Sequence, residues 1–236
     1  SLLAESLNNN ELADLAYTYA IGRRILNYRS ALLIGDKALS NQVVENNPTK
    51  PRIAFLIPGQ GTNLFGAAYC YYHYENSYRK AFTYCVEKVT GKHADQLKTF
   101  LLGGMLENGK EQYEKNTELA QLSVLVHAYC MACMWQFYGV IPNLILGNSI
   151  GEYVAACLAR RIDIASMISC IQNRGRLLAA EKRGVMYVLS GKESTLIDSV
   201  KKASVYNSQS VVISSILSPS RIVISGEKVH VHSLLD

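Results

Sequence analysis

The sequence has no apolar stretch long enough to span a bilayer and no secretory signal at its start, so the expected setting is cytoplasmic, with no membrane partner. It has no run of lysine and arginine either. Lys and Arg number 24 against 19 Asp and Glu, and the resulting net charge of +5 forms no basic stripe. Nucleic acid and anionic lipid are therefore not expected partners, while the sign of the charge suits an acidic protein. A second cysteine pair is also missing. Cys130 and Cys133 form a lone Cys-Met-Ala-Cys inside an apolar, helix-like run. Zinc needs four clustered ligands and a redox pair wants an exposed loop, so no metal site is expected and the thiols read as buried and reduced. That use of cysteine fits a reducing compartment.

What remains is ordinary for a folded chain: 236 residues, 49% hydrophobic and 18% charged. Fifteen tyrosines are scattered without a repeat. The length leaves room for one large domain or two small ones. Residue 1 is Ser rather than Met, from which an excerpt of a longer protein is expected.

Residues 11–26 place apolar side chains at helical spacing, and 28–34 read as a strand. Residues 40–51 are polar and proline-flanked, and are expected to be a linker. Residues 53–57 form a continuous apolar run that suits a strand buried on both faces, ended by Pro58-Gly59-Gln60-Gly61. A helix is expected over 76–89, less regular chain over 90–116, and a long buried helix over 118–138. Leu144-Ile145-Leu146 reads as a second buried strand. Helices follow to residue 160 and over 164–180. Beyond Gly184, strands at 186–189, 211–214 and 222–225 alternate with helices near 193–203 and 228–235. That order, β-α-β-β-α, resembles a split ferredoxin-like unit without its last strand. The expected fold class is α/β, an α/β core with a smaller α+β unit beginning inside it.

The strongest local signal is Gly147-Asn148-Ser149-Ile150-Gly151, a G-x-S-x-G between an apolar strand and a helix. Such a turn projects one side chain from the end of a sheet, with glycines relieving the crowding. Ser149 is then a nucleophile at the positive end of a helix, and the Ile150 amide a donor to an oxyanion. A serine N-cap needing no chemistry has the same sequence. A nucleophilic serine also wants a second amide and a base, and the loop at Gly59-Gln60 is a source for the amide.

FLIPGQGTNLFG, GNSIGEYVAACLA and NRGRLLA, in this order and spacing, resemble the malonyl/acyl-CoA:carrier-protein transacylases. LADLAYTYAIGRRILNYRSALL is similar to the linker that joins a ketosynthase to an acyltransferase in modular polyketide synthases. SPSRIVISGEKVHVHSLL is similar to the small ferredoxin-like subdomain of the same family. The resemblance implies a hydrolase-like α/β core at 51–183, an inserted ferredoxin-like subdomain at 184–236, incomplete here, and a linker segment at 1–50. It implies transfer of a malonyl-type group from coenzyme A to the phosphopantetheine thiol of an acyl carrier protein through a Ser149 ester. The amides of Gln60 and Ile150 would form the oxyanion hole, with no bound cofactor or metal. Arg174 would pair with the free carboxylate of the acyl group, as a planar guanidinium does; standing alone it reads rather as a solvated helix arginine, with Arg176 two residues on. The aliphatic Ile150 points to malonyl over methylmalonyl. Malonyl-CoA, a carrier protein and a neighbouring ketosynthase are the implied partners.

Departures from the family pattern fall at Asn148, where histidine is usual, and at Glu118, read as standing in the place of a pocket glutamine. A carboxylate there would oppose the substrate's own. The family's general-base histidine lies in a later segment, which His232-Ser233 mimics within the small subdomain. The base is expected outside these residues, and the chain alone is expected to be inactive. An esterase or thioesterase, and a degenerate docking domain, are the competing readings.

Overall fold

The computed structural model describes residues 8–22, 24, 26, 28–33, 40–45, 51–103, 116–181, 184–206 and 211–235. The chain divides into two compact units, Ser1–Ile53 and Ala54–Asp236.

In the first unit, helix α1 (Asn9–Ile21) opens on a capping box. The Asn8 side chain accepts from the amides of Asn10 and Glu11, and the Asn8 amide donates to Glu11 at 2.9 Å. Gly22 ends it by donating to the Thr18 carbonyl. The helix buries none of its residues. Strands β1 (Tyr28–Leu33) and β2 (Ser40–Glu45) pair antiparallel, with Tyr28 opposite Glu45. Residues 40–45, expected as linker, are thus a strand: their polarity says nothing about the backbone partner that β1 supplies. Residues 46–50 of that expected linker lie outside the described residues.

The second unit is built round α5 (Thr117–Phe137), capped by the Asn116 side chain on the Leu119 amide at 3.0 Å. Leu122, Leu125 and Val126 are fully buried along it. Helices α3 (Asn76–Lys88), α4 (His93–Leu101), α6 (Ile150–Leu158) and α7 (Ile164–Ala180) pack against it or its neighbours. Short α2 (Tyr69–Tyr74) precedes α3 and was not legible in a run so rich in tyrosine. Tyr78, Phe82, Phe100, Ile168 and Ile171 complete this core; each such buried side chain contributes roughly 1.5–3 kcal/mol.

Strands β3 (Ala54–Ile57) and β4 (Leu144–Gly147) run parallel, with Ile57 opposite Gly147 at their carboxyl ends. Only one face of this ladder meets the core. Leu56 is 73% exposed and Leu146 60%, which corrects the expectation of strands covered on both faces; a hydrophobic run records what a strand can bury, not what lies over it.

The rest of the unit is a three-stranded antiparallel sheet of order β5-β7-β6, from β5 (Val185–Ser190), β6 (Val211–Ser218) and β7 (Arg221–Gly226). Helices α8 (Glu193–Tyr206) and α9 (Lys228–Leu235) accompany it. Its own core is Val200, Val211, Ile222, Ile224 and Val231. The β-α-β-β-α order is that of a split ferredoxin-like unit without its last strand. The fold class is α/β.

Candidate active site

Where β4 gives way to α6, the chain makes a turn that few sequences can adopt. Ser149 has φ 53° and ψ −116°, a backbone region that non-glycine residues enter only under strain. The two glycines of the pentapeptide make the turn possible. A Cβ on Gly147 would stand 2.2 Å from the Gly151 carbonyl carbon, and one on Gly151 would stand 2.5 Å from the Ile57 oxygen. The Asn148 amide donates to that same Ile57 carbonyl at 3.0 Å, stitching the turn to the end of β3. Ser149 precedes the first residue of α6 but makes no side-chain capping bond. The N-cap alternative therefore fails. Ser149 and Asn148 are exposed at the positive end of α6, while Ile150 is fully buried.

The loop after β3 lies against this turn. A Cβ on Gly59 would come 3.1 Å from the Asn148 oxygen and 3.4 Å from Ser149 Cβ. Gln60, next in the chain, is therefore brought beside the elbow, and its side-chain oxygen accepts from Gln121 Nε2 at 3.4 Å. Gln121 on α5 is 1% exposed and its Oε1 has no hydrogen-bond partner. Sequence reasoning missed it. Its one signal was a glutamine inside an otherwise apolar helical run, a place where a polar side chain needs a reason to be.

Arg174 and Arg176 part company here. Arg176 is exposed and donates to Asn173 at 3.4 Å. Arg174 is half-buried, its guanidinium carbon 5.6 Å from the centre of the Tyr153 ring. Tyr153 lies one helical turn beyond Ser149.

Glu118 does not present a free carboxylate. It pairs with His93 Nδ1 at 3.1 Å and accepts from Gln172 Nε2 at 3.4 Å. Gln172 is held in turn by the amide and hydroxyl of Thr90, each at 3.1 Å. Among the described residues no hydrogen bond or ion pair joins Glu118 to Ser149 or Arg174, and Gln121, a turn further along α5, reaches the Gln60 loop. The carboxylate that the sequence sets against the substrate's own thus has two partners in the fold, His93 and Gln172.

Each of the five histidines is engaged away from Ser149. His93 holds Glu118, and His73 lies tilted against Tyr69 with ring centres 4.5 Å apart. His127 Nδ1 lies 2.7 Å from the Tyr78 hydroxyl, and burial lowers its pKa to about 4. His230 faces Glu227 at 3.9 Å, and His232 Nε2 meets the Tyr187 hydroxyl at 2.9 Å. The cysteines are free thiols. Burial pushes Cys157 up to about 12 and Cys130 well above its usual range, so neither offers a thiolate. Among the described residues no cluster of His, Cys, Asp and Glu could hold a metal, and no helix is long and apolar enough to cross a membrane.

Residues 54–236 match the family model of the acyl transferase domain. The chain belongs to that family. Its relatives include the non-reducing polyketide synthase Preu8 of Preussia isomera, 30% identical over 203 residues that span 78% of this chain and 9% of the synthase. The acyl transferase domain of ZmaA shares the fold, with a TM-score of 0.83 at 22% identity over 98% of this chain and 55% of that one. A malonyl-transacylase solved in complex with its type II PKS acyl-carrier protein aligns with a TM-score of 0.63 at 26% identity, over 78% of this chain and 58% of that one. The acyltransferase chain therefore spans a small part of the polyketide synthase and just over half of each solved chain.

Proposed function

We propose that this acyltransferase transfers a malonyl-type group from coenzyme A to the phosphopantetheine thiol of an acyl carrier protein within a polyketide synthase, through an ester on Ser149. The observation that carries the reading is the strained, uncapped Ser149 pressed against the Gly59-Gln60 loop. A serine held at cost with its hydroxyl unspent is arranged for attack. Ser149 Oγ adds to the thioester carbonyl, whose oxygen becomes negative between the amides of Gln60 and Ile150. The carbon–sulfur bond then breaks, coenzyme A leaves as its thiol, and the Ser149 ester remains. The carrier thiol attacks that ester by the same route and restores the serine hydroxyl. Arg174 receives the free carboxylate of the acyl group, a fork of N–H donors to two oxygens. The exposed Asn148 lies where the substrate enters. No metal or resident cofactor takes part. A neighbouring ketosynthase is the partner we assign to the residues before 51.

The proton of Ser149 needs a base, and among the described residues no histidine makes a hydrogen bond to Ser149. We assign that role to a histidine outside these 236 residues and expect the chain alone to acylate slowly. Intact-protein mass spectrometry after incubation with malonyl-CoA tests the scheme. A malonyl adduct that accumulates over hours, faster with added imidazole, and is absent from Ser149→Ala, is expected. An adduct that survives in Ser149→Ala removes the nucleophile assignment. Fast turnover without imidazole removes the missing base.

A further inference from the structure

Arg174 does not hang freely from α7. On one side α7 is locked to α5: a Cβ on Gly175 would come within 2.6 Å of Glu118 Cα, and Gln172 bridges Glu118 and Thr90. Residue 174 is turned by about 100° from residue 175, so its side chain leaves α7 on another face, where it meets Tyr153 of α6. Tyr153 stands in the first turn of α6, the helix that begins directly after Ser149. At 5.6 Å from the ring centre the guanidinium is within cation–π range, and its N–H donors all lie in one plane. No hydrogen bond or ion pair among the described residues engages them.

We propose that Tyr153 is a positioning residue that sets acyl specificity, its ring holding the Arg174 guanidinium one turn from Ser149 with its N–H edge open to the carboxylate of a dicarboxylic acyl thioester. A lysine in place of Arg174 would offer no planar fork of donors, and a ring-less residue 153 would leave the guanidinium to wander over several rotamers. The inference rests on the acyltransferase reading of Ser149 and on Arg174 as partner of the carboxylate.

The test is calorimetric titration of the 236-residue chain with malonyl-CoA and with acetyl-CoA, which lacks the carboxylate. The wild type is expected to prefer malonyl-CoA. Tyr153→Leu and Tyr153→Gln delete the ring in two ways, and each is expected to cut the malonyl-to-acetyl affinity ratio by roughly threefold to tenfold. Tyr153→Phe, which keeps the ring face, is expected to retain the ratio. Circular dichroism checks that the variants are folded, and either ring deletion suffices. A ratio that survives ring loss but collapses in Arg174→Ala overturns the role of Tyr153 and leaves the acyltransferase reading standing. Equal affinity, or no binding, of the two thioesters in the wild type overturns both.

Discussion

Ser149 sits in a backbone conformation that costs a side-chain-bearing residue on the order of 1–3 kcal/mol. Ser149→Gly should therefore raise stability by about 1 kcal/mol in urea unfolding while abolishing the adduct, and Ser149→Ala, which keeps the Cβ, should leave stability nearly as it is. A glycine variant less stable than the alanine variant would contradict strain at this position. Gly147→Ala should do the opposite. Its Cβ would meet backbone at 2.2 Å, and a loss of more than about 2 kcal/mol is expected in the same assay. Residues of this kind are legible in a sequence because the pentapeptide dictates its own turn. Gln121 was not, because its meaning comes from Gln60, sixty-one residues away, and nothing local distinguishes it from a polar residue that has strayed into a core. The partners of Glu118 were hidden for the same reason: His93 and Gln172 arrive from other helices.

At the scale of elements, the contact of α7 with α5 at Gly175 leaves no room for a methyl group. Gly175→Ala should separate the helices by a few tenths of an ångström or more, cost about 1–3 kcal/mol, and slow the appearance of the malonyl adduct by moving Arg174. Unaltered unfolding of that variant would mean the helices slide apart freely. Leu125→Ala, in the fully buried middle of α5, should cost about 2–5 kcal/mol on denaturation. Helix α5 was easy to foresee, since 21 residues of apolar sequence permit little else. Strand β2 was not. Ser40–Glu45 carries no strand pattern of its own and takes its conformation from pairing with β1.

For the molecule as a whole, acidity should be a liability. His127 is half-buried beside Tyr78, and loss of water there lowers its folded pKa from 6.5 to about 4. The unfolded chain binds the proton more readily, so this contribution is complete above about pH 6.5 and is lost as pH falls toward 4, by about 3 kcal/mol at most. Unfolding midpoints in urea at pH 7 and pH 5 measure it, and His127→Gln should flatten the difference. Equal pH dependence in that variant would assign the acid sensitivity elsewhere. The parallel ladder of β3 and β4 has a consequence in time rather than space. Gln60 and Ser149 become neighbours only once Ala54–Ile57 has found Leu144–Gly147, a loop closure across almost ninety residues and among the slowest kinds of contact a chain makes. Until those two strands meet, the Gly59-Gln60 loop has no place beside Ser149, so the candidate site is the product of a distant pairing and not of the pentapeptide alone.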